Sequence, residues 1–498
     1  MKKISIILIA LAAVLTVSCK DFLTETDPNK ITSGNYYKNE ADLTNVLNQA
    51  YASLKGNYYF VNSYHFTDIH SNLTICEDSG AHGGAYYQWY AFTLTEQNEF
   101  LLSRYQHIYA SIGYADKLIY HLDDISWADP NTRKSYEAQA RFIRALGFYT
   151  LVTEWGPVPV FDGALTSMGE IQAANHRAPK ADVYAQIYKD LDKVVGTDAD
   201  PSVLLDRDSA ADCGRVSKAA GYALYGKALL QQATDEDFAA QKAELLTKAI
   251  SMLNKAWALR GWTTDNLPVA FADIWDLAKQ KGCLENIFQI NFIQKNATLG
   301  SDFAYVYGPA AETGITSMHS CNGSSQTDQA FYDKYAAGDA RKAFLRKTVY
   351  AQKEYYHSMK YVDKACGSDG FGGNNWIVLR YADVALMLAE AYYWSSDEPN
   401  ARIWLNKVRA RAGVAGATAA DTGTVLRDAI YEERFKELIH EGHSWHDYLR
   451  GYSKAELKAH FQPLQANFTD KDYLFPIPYS ERVLNPEGLY QNPGYLNE

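Results

Sequence analysis

The densest run of metal-type and acid–base side chains is His440-Glu441-Gly442-His443-Ser444-Trp445-His446. Its spacing does not suit that chemistry. A helical zinc site places two His four apart with a Glu directly after the first, whereas three His at steps of three fan over about a third of the helix circumference and do not converge. G-x-S-x-G, a Walker loop and C-x-x-C are all missing from the chain, so no activated serine, phosphate cradle or zinc ribbon is signalled. A pair of loop carboxylates is the one hydrolytic arrangement that leaves no spacing signature. The remaining residues with chemical reach are aromatic. The chain has 37 Tyr and 10 Trp, and Tyr58-Tyr59-Phe60, Tyr86-Tyr87-Gln88-Trp89-Tyr90 and Tyr305-Val306-Tyr307 stand beside Gly, Asn and Asp instead of in apolar periodic segments. Rings placed this way either close over a core or form an amphipathic binding surface.

The elements that must position these rings are mostly helical. Periodicity predicts helices at Phe100 to Leu122, Ser135 to Glu154, Lys180 to Val195, Lys218 to Gln232, Ala243 to Leu259, Tyr381 to Trp394, Pro399 to Ala412 and Thr424 to His440, with another begun by Asn39 and Asp42. Strand signals are few, Ile287 to Phe292 among them. Helix pairs invite a repeat check. Leu388, Ala389, Tyr392, Ala401 and Leu405 match the tetratricopeptide spacing, as do Tyr222, Tyr225, Gly226 and Leu229 with Ala249, Leu253 and Ala256. Ser135 to Glu154 with Lys180 to Val195 makes a third pair. The expected fold is a mostly α, tetratricopeptide-like helical-pair solenoid, carrying long irregular excursions at about 57–98, 261–327 and 351–375 that form the binding face.

Lys2 and Lys3, an apolar run from Ile4 to Val17 too short to span a bilayer, and Ser18-Cys19 read as a signal peptide over 1–18. The site resembles a bacterial lipobox, with Cys19 as the lipidated first mature residue, 19–39 as a tether and 40–498 as a single domain. Loss of the two lysines would take the formal charge from −11 to −13, a balance that excludes a phosphate-tracking surface, so nucleic acid is not a partner. Cys76, Cys213, Cys283, Cys321 and Cys366 are odd in number and widely spaced, which signals neither a disulfide framework nor a metal site.

Five ordered segments carry a family resemblance. They are Ala138-Gln139-Ala140-Arg141-Phe142-Ile143-Arg144-Ala145 through Trp155-Gly156-Pro157-Val158-Pro159; Arg380-Tyr381-Ala382-Asp383-Val384; Leu405-Asn406-Lys407-Val408-Arg409-Ala410-Arg411-Ala412-Gly413; Glu433-Arg434 with Glu437 and Glu441-Gly442-His443; and Leu474-Phe475-Pro476-Ile477-Pro478 with Gln491-Asn492-Pro493-Gly494-Tyr495. Together with the lipoprotein start they resemble the SusD/RagB family, the surface nutrient-binding lipoproteins of Bacteroidetes. Arg141, Arg144, Glu390, Glu433 and Glu437 have apolar neighbours, so their expected use is buried ion pairing that docks helices. Where the family often has Arg after Glu-Gly-His, this chain has Ser444.

The resemblance implies a lipid-anchored protein on the cell-surface side of the outer membrane. It would bind an oligosaccharide or polysaccharide and act as a lid over a SusC-type TonB-dependent transporter, breaking no bond and using neither cofactor nor metal. Capture of peptides, as by a RagB-like importer, is the alternative. It further implies that the loop Glu77 to Trp89 and a second loop within 261–327 form the ligand face. Trp89, Tyr86 and Tyr87 are the expected stacking rings, with Asp78 and His82 as polar contacts. Tyr305 and Tyr307 are expected as neighbours on an extended segment of the second loop.

Overall fold

The computed structural model describes residues 36–58, 65–76, 84–165, 167–308, 325–350, 352–366 and 371–495. Cys19, the expected leader and most of the expected tether lie outside that range, and so do Asp78 and His82. In chain order the elements used below are α1 (Glu40–Tyr58), α2 (His65–His70), β1 (Thr74–Ile75), α3 (Ala85–Tyr90), α4 (Glu99–His121), α5 (Pro130–Trp155), α6 (Lys180–Val195), α7 (Lys218–Thr234), α8 (Lys242–Ala258), β2 (Asn286–Ile290), α9 (Phe303–Tyr307), β3 (Gln326–Thr327), β4 (Leu345–Tyr350), β5 (Lys353–Ser358), β6 (Trp376–Arg380), α10 (Tyr381–Trp394), α11 (Glu398–Ala412), α12 (Gly423–Leu438) and α13 (Ser444–Gly451). Among the described residues no helix is long and apolar enough to cross a membrane.

The chain is mostly helical, and the sequence pairs are spatial pairs: α5 packs on α6, α7 on α8 and α10 on α11, with α1 against α4. Gly226 allows one of these contacts, because a Cβ there would lie 2.5 Å from Leu253 Cγ. Local chemistry sets the helix ends. Asn39 accepts from the Asp42 amide at 3.0 Å where α1 begins. Asp129 caps α5 ahead of Pro130, so this helix starts five residues before its periodic stripe. Gly413, at φ 75°, closes α11 in the left-handed conformation. Periodicity carries α12 to His440, but the helix stops at Leu438, since Ile439 is extended and His440 has φ 64°.

Strand pairing is local and antiparallel: β1 with β3, β2 with β6, and β4 with β5. The β4–β5 hairpin begins the 351–375 excursion that was expected to be irregular. Strand β6 runs directly into α10 and delivers Arg380 to the interior.

Buried charge organises the docking. Arg144, fully enclosed, bonds Asp190 on α6 at 2.8 Å and Asp116 on α4 at 2.5 Å. A second network sets the cations Arg341, Lys360, Arg380, Arg409 and Arg411 against the carboxylates Glu285, Asp339, Glu433, Glu437 and Glu441. A third sets Lys227, Arg434 and Arg450 against Asp383, Glu390 and Asp447. Charges balance within the last two, which is the condition under which such groups tolerate burial. Although burial pushes its carboxyl up, Arg411, Arg380 and Arg341 together hold Glu437 far below the usual carboxylate range.

The described chain opens with Tyr36 and Tyr37. Tyr37 stacks on His121, at the C-terminal end of α4, with centroids 3.7 Å apart and planes 9° off parallel.

Candidate functional site

The β1–β3 ladder, Thr74 opposite Thr327 and Ile75 opposite Gln326, ties together the bases of the two loops marked by the sequence. The Asp328 amide extends it, donating to the Leu73 carbonyl at 2.9 Å. The first loop's undescribed part lies in the chain between Cys76 and Gly84, and the second's between Gly308 and Ser325. Gly84, at φ 81°, turns the chain into α3, a conformation that suits glycine.

Two asparagines and a histidine fix α3. Asn98, which caps α4, donates to the Ala85 carbonyl and to Gln88 Oε1, each at 2.9 Å. Asn72 donates to the Tyr90 carbonyl at 3.1 Å. His70, whose pKa burial lowers, sits 2.9 Å from the Trp89 carbonyl.

The expected rings divide into two groups. Trp89 is fully buried, its ring edge-on to Phe475 at 4.6 Å, and Tyr307 is fully buried and stacked on Tyr361 at 5.1 Å. Neither presents a face to a ligand in this conformation, which corrects the expectation for both. Tyr305 and Tyr307 also do not lie on an extended segment: they belong to the single-turn helix α9, which points Tyr307 inward and leaves Tyr305 half-buried. Tyr86 stacks one face on Phe100 at 4.2 Å, and Tyr87 and Tyr90 are half-exposed neighbours with centroids 5.9 Å apart. Tyr90 and Gln88, also half-exposed, went unselected. Helical spacing held the missing signal: at 100° per residue Ala85 and Trp89 share one face, and Tyr87 and Tyr90 another.

The run 440–446 forms the foundation below these loops. His440 is 2.9 Å from Thr327 Oγ1, Tyr361 donates to the His440 carbonyl at 2.8 Å, and Tyr307 stands edge-on to the His440 ring at 5.0 Å. Glu441 bonds Arg380 at 2.7 Å, and Lys227 meets His443 at 3.0 Å. His440 and His443 therefore have separate partners, and among the described residues no cluster of three or more His, Cys, Asp or Glu is arranged to hold a metal. Ser444 takes a different role from an ion-pairing arginine: its hydroxyl donates to Asp68 at 3.0 Å, beside the Gly442 amide at 3.2 Å. Asp68 is fully buried on α2, and burial pushes its carboxyl up to about 7 against the pull of those two donors. Burial also pushes the neighbouring Lys360 down to about 8.

A paired-helix scaffold docked by matched buried charges, with the segments that flank the two marked loops joined by one short ladder, is the build of a helical-repeat protein. The chain belongs to the SusD/RagB family. Residues 21–230 match the model described as starch-binding associating with outer membrane, and residues 345–495 match that of the SusD family. It is 28% identical to SusD-like protein P2 of Formosa agariphila over 532 residues, covering 99% of this chain and 100% of the relative. Its structure is similar to a laminarin binding SusD-like protein, with a TM-score of 0.75, 23% identity, and coverage of 92% of this chain and 100% of the other. It is also similar to surface glycan-binding protein A from Bacteroides thetaiotaomicron in complex with laminarihexaose, with a TM-score of 0.73, 19% identity, and coverage of 91% and 99%. At those identities the structural likenesses speak for the fold. The family is one of starch-binding, outer-membrane-associated proteins.

Proposed function

We propose that this protein is a non-catalytic lipoprotein that captures an oligosaccharide or polysaccharide at the cell surface and passes it to a SusC-type TonB-dependent transporter, for which it serves as the lid. In this reading residues 1–18 are the leader, 19–39 the tether lipidated at Cys19, and 40–498 one SusD-like domain. The observation that supports the reading is the β1–β3 ladder, which pairs the strand leading into the first loop with the strand that follows the second. The names of the relatives support a glycan as the ligand. Tyr86, Tyr87, Tyr90 and Tyr305, none of them fully buried, are the rings proposed to meet sugar faces, and Asp78 and His82 the proposed polar contacts from the first loop. Trp89 and Tyr307 are the buried members of the same two helices.

A ring covering about 50 Å² of a sugar's apolar face contributes about 1.25 kcal/mol. Several rings are needed, and dissociation constants of roughly micromolar to millimolar follow once ordering costs are included. Titration of the purified protein with laminarin, other polysaccharides and a peptide mixture tests the ligand class. Saturable binding of a glycan, without time-dependent release of reducing ends, is the expected result. Saturable binding of peptides alone would replace the glycan with the RagB-like alternative, and release of reducing ends would overturn the non-catalytic reading. Copurification of a TonB-dependent barrel from gently solubilised outer membranes tests the lid, and recovery of the free protein alone counts against it.

A further inference from the structure

A cavity of about 60 Å³ lies beneath α2, walled by α5, α7 and β6 and by the turn that leads into α13. Its charged lining residues are matched. Arg104 grips Glu154 with bonds of 2.7 and 2.5 Å, and Lys227 donates to Asp383 at 3.1 Å and to His443 Nδ1 at 3.0 Å. Three other lining residues are not matched. Thr67 Oγ1, Tyr149 Oη and His446 Nε2 are all buried, and among the described residues none of the three has a hydrogen-bond partner in the protein. His446 Nε2 lies 3.8 Å from Glu154 Oε1, beyond hydrogen-bond reach but suited to a bridge.

Buried polar groups in folded proteins are almost always satisfied, so three orphaned atoms on the lining of one cavity call for a shared guest. The wall selects its charge: Arg104 and Lys227 oppose a cation, and Glu154 and Glu441 oppose an anion. A neutral guest that both donates and accepts fits two hydroxyls and an imidazole nitrogen. Size gives the same answer, since one water needs about 10–15 Å³ of such space and the cavity of about 60 Å³ therefore has room for at most about four to six.

We infer that this cavity is a hydration site, in which a small cluster of internal waters bonds Thr67 Oγ1, Tyr149 Oη and His446 Nε2 and bridges His446 to Glu154. The cluster fastens α2 to α5 and α13. Because α2 also carries Asp68 and leads into β1, the waters form part of the footing of the first loop. The inference is independent of the ligand class.

A high-resolution crystal structure of the full-length protein tests it directly. Ordered water peaks within hydrogen-bond distance of the three atoms are expected; empty density at the cavity, or a xenon peak there after pressurisation, overturns the assignment, because a dry cavity takes xenon and a hydrated polar one does not. Thermal melts give a second readout. Tyr149→Phe removes only the hydroxyl, and Thr67→Val removes one while keeping the shape. If waters bond these groups, each variant melts about 1–2 °C lower. A higher midpoint for both would mean that the hydroxyls were orphaned in a dry cavity, and the inference would fail.

Discussion

Asp68 sits outside the charge matching that runs through the rest of the interior. It is fully buried, it accepts from Ser444 and from the Gly442 amide, and among the described residues it has no ion-pair partner. Burial pushes its carboxyl up to about 7, with Lys360 pulling it down and Glu441 pushing it up more weakly. In an unfolded chain an aspartate titrates near about 3.9. The folded state therefore binds the proton more tightly, and over the window from about pH 4 to about pH 7 stability falls as pH rises; above pH 7 the loss is complete. A displacement of about three pH units corresponds to about 4 kcal/mol, of which about 3 kcal/mol falls between pH 4.5 and pH 7.5. Asp68→Asn keeps an acceptor for the Gly442 amide and removes the titration. Urea unfolding of wild type and D68N at those two pH values gives the double difference. The variant should gain about 3 kcal/mol on wild type in going from the acidic to the neutral condition. Parallel stability curves, with the difference unchanged by pH, would refute the reasoning, since they would mean that Asp68 stays ionised in the fold.

Trp89→Ala should destabilise the protein by about 3–5 kcal/mol, seen as an earlier urea midpoint, because the ring is core. Tyr87→Ala should leave stability within about 1 kcal/mol and weaken glycan binding about tenfold in titration calorimetry. Equal stability losses in the two variants would contradict the division of α3 into an inner and an outer face. Arg380→Met strips partners from both Glu437 and Glu441 and should cost about 3–5 kcal/mol in urea unfolding; a loss below about 1 kcal/mol would show that Arg411, Arg341 and Lys360 suffice. Cys19→Ala should shift the protein from the membrane to the soluble fraction in high salt with its melting midpoint unchanged, and retention on membranes would sink the lipid anchor.

The scaffold was legible because its signals are local and redundant. Stripes such as Phe142, Leu146 and Tyr149, the repeat spacing of Leu229 with Leu253, and caps such as Asn39 all point to the elements observed. The paired roles of Arg144, Glu390, Glu433 and Glu437 were readable for the same reason: a charge among apolar neighbours must find a partner. The site was less legible. Aromatic clustering marks where rings concentrate but not which face they take, and in a six-residue helix a step of one residue separates core from surface. The inward face of Trp89 has no local signal, because its partner, Phe475, is supplied from nearly four hundred residues away. His440 to His446 misleads in the opposite sense. Its polar density suggests a reactive centre, yet it faces partners from α2, α7, β3 and β6 that no local window contains.

The stacking of Tyr37 on His121 has a mechanical consequence. Tyr37, within the proposed tether, meets the folded body at the C-terminal end of α4, while Asn98 holds α3 at the other end of the same helix. Those 23 residues form a strut about 35 Å long. Rotation by about 30° around the tether's point of entry would sweep the loop end through about 18 Å, with no bond within the helix stretched. In the proposed lid that point of entry would act as a fulcrum, and the length of α4 would set the stroke.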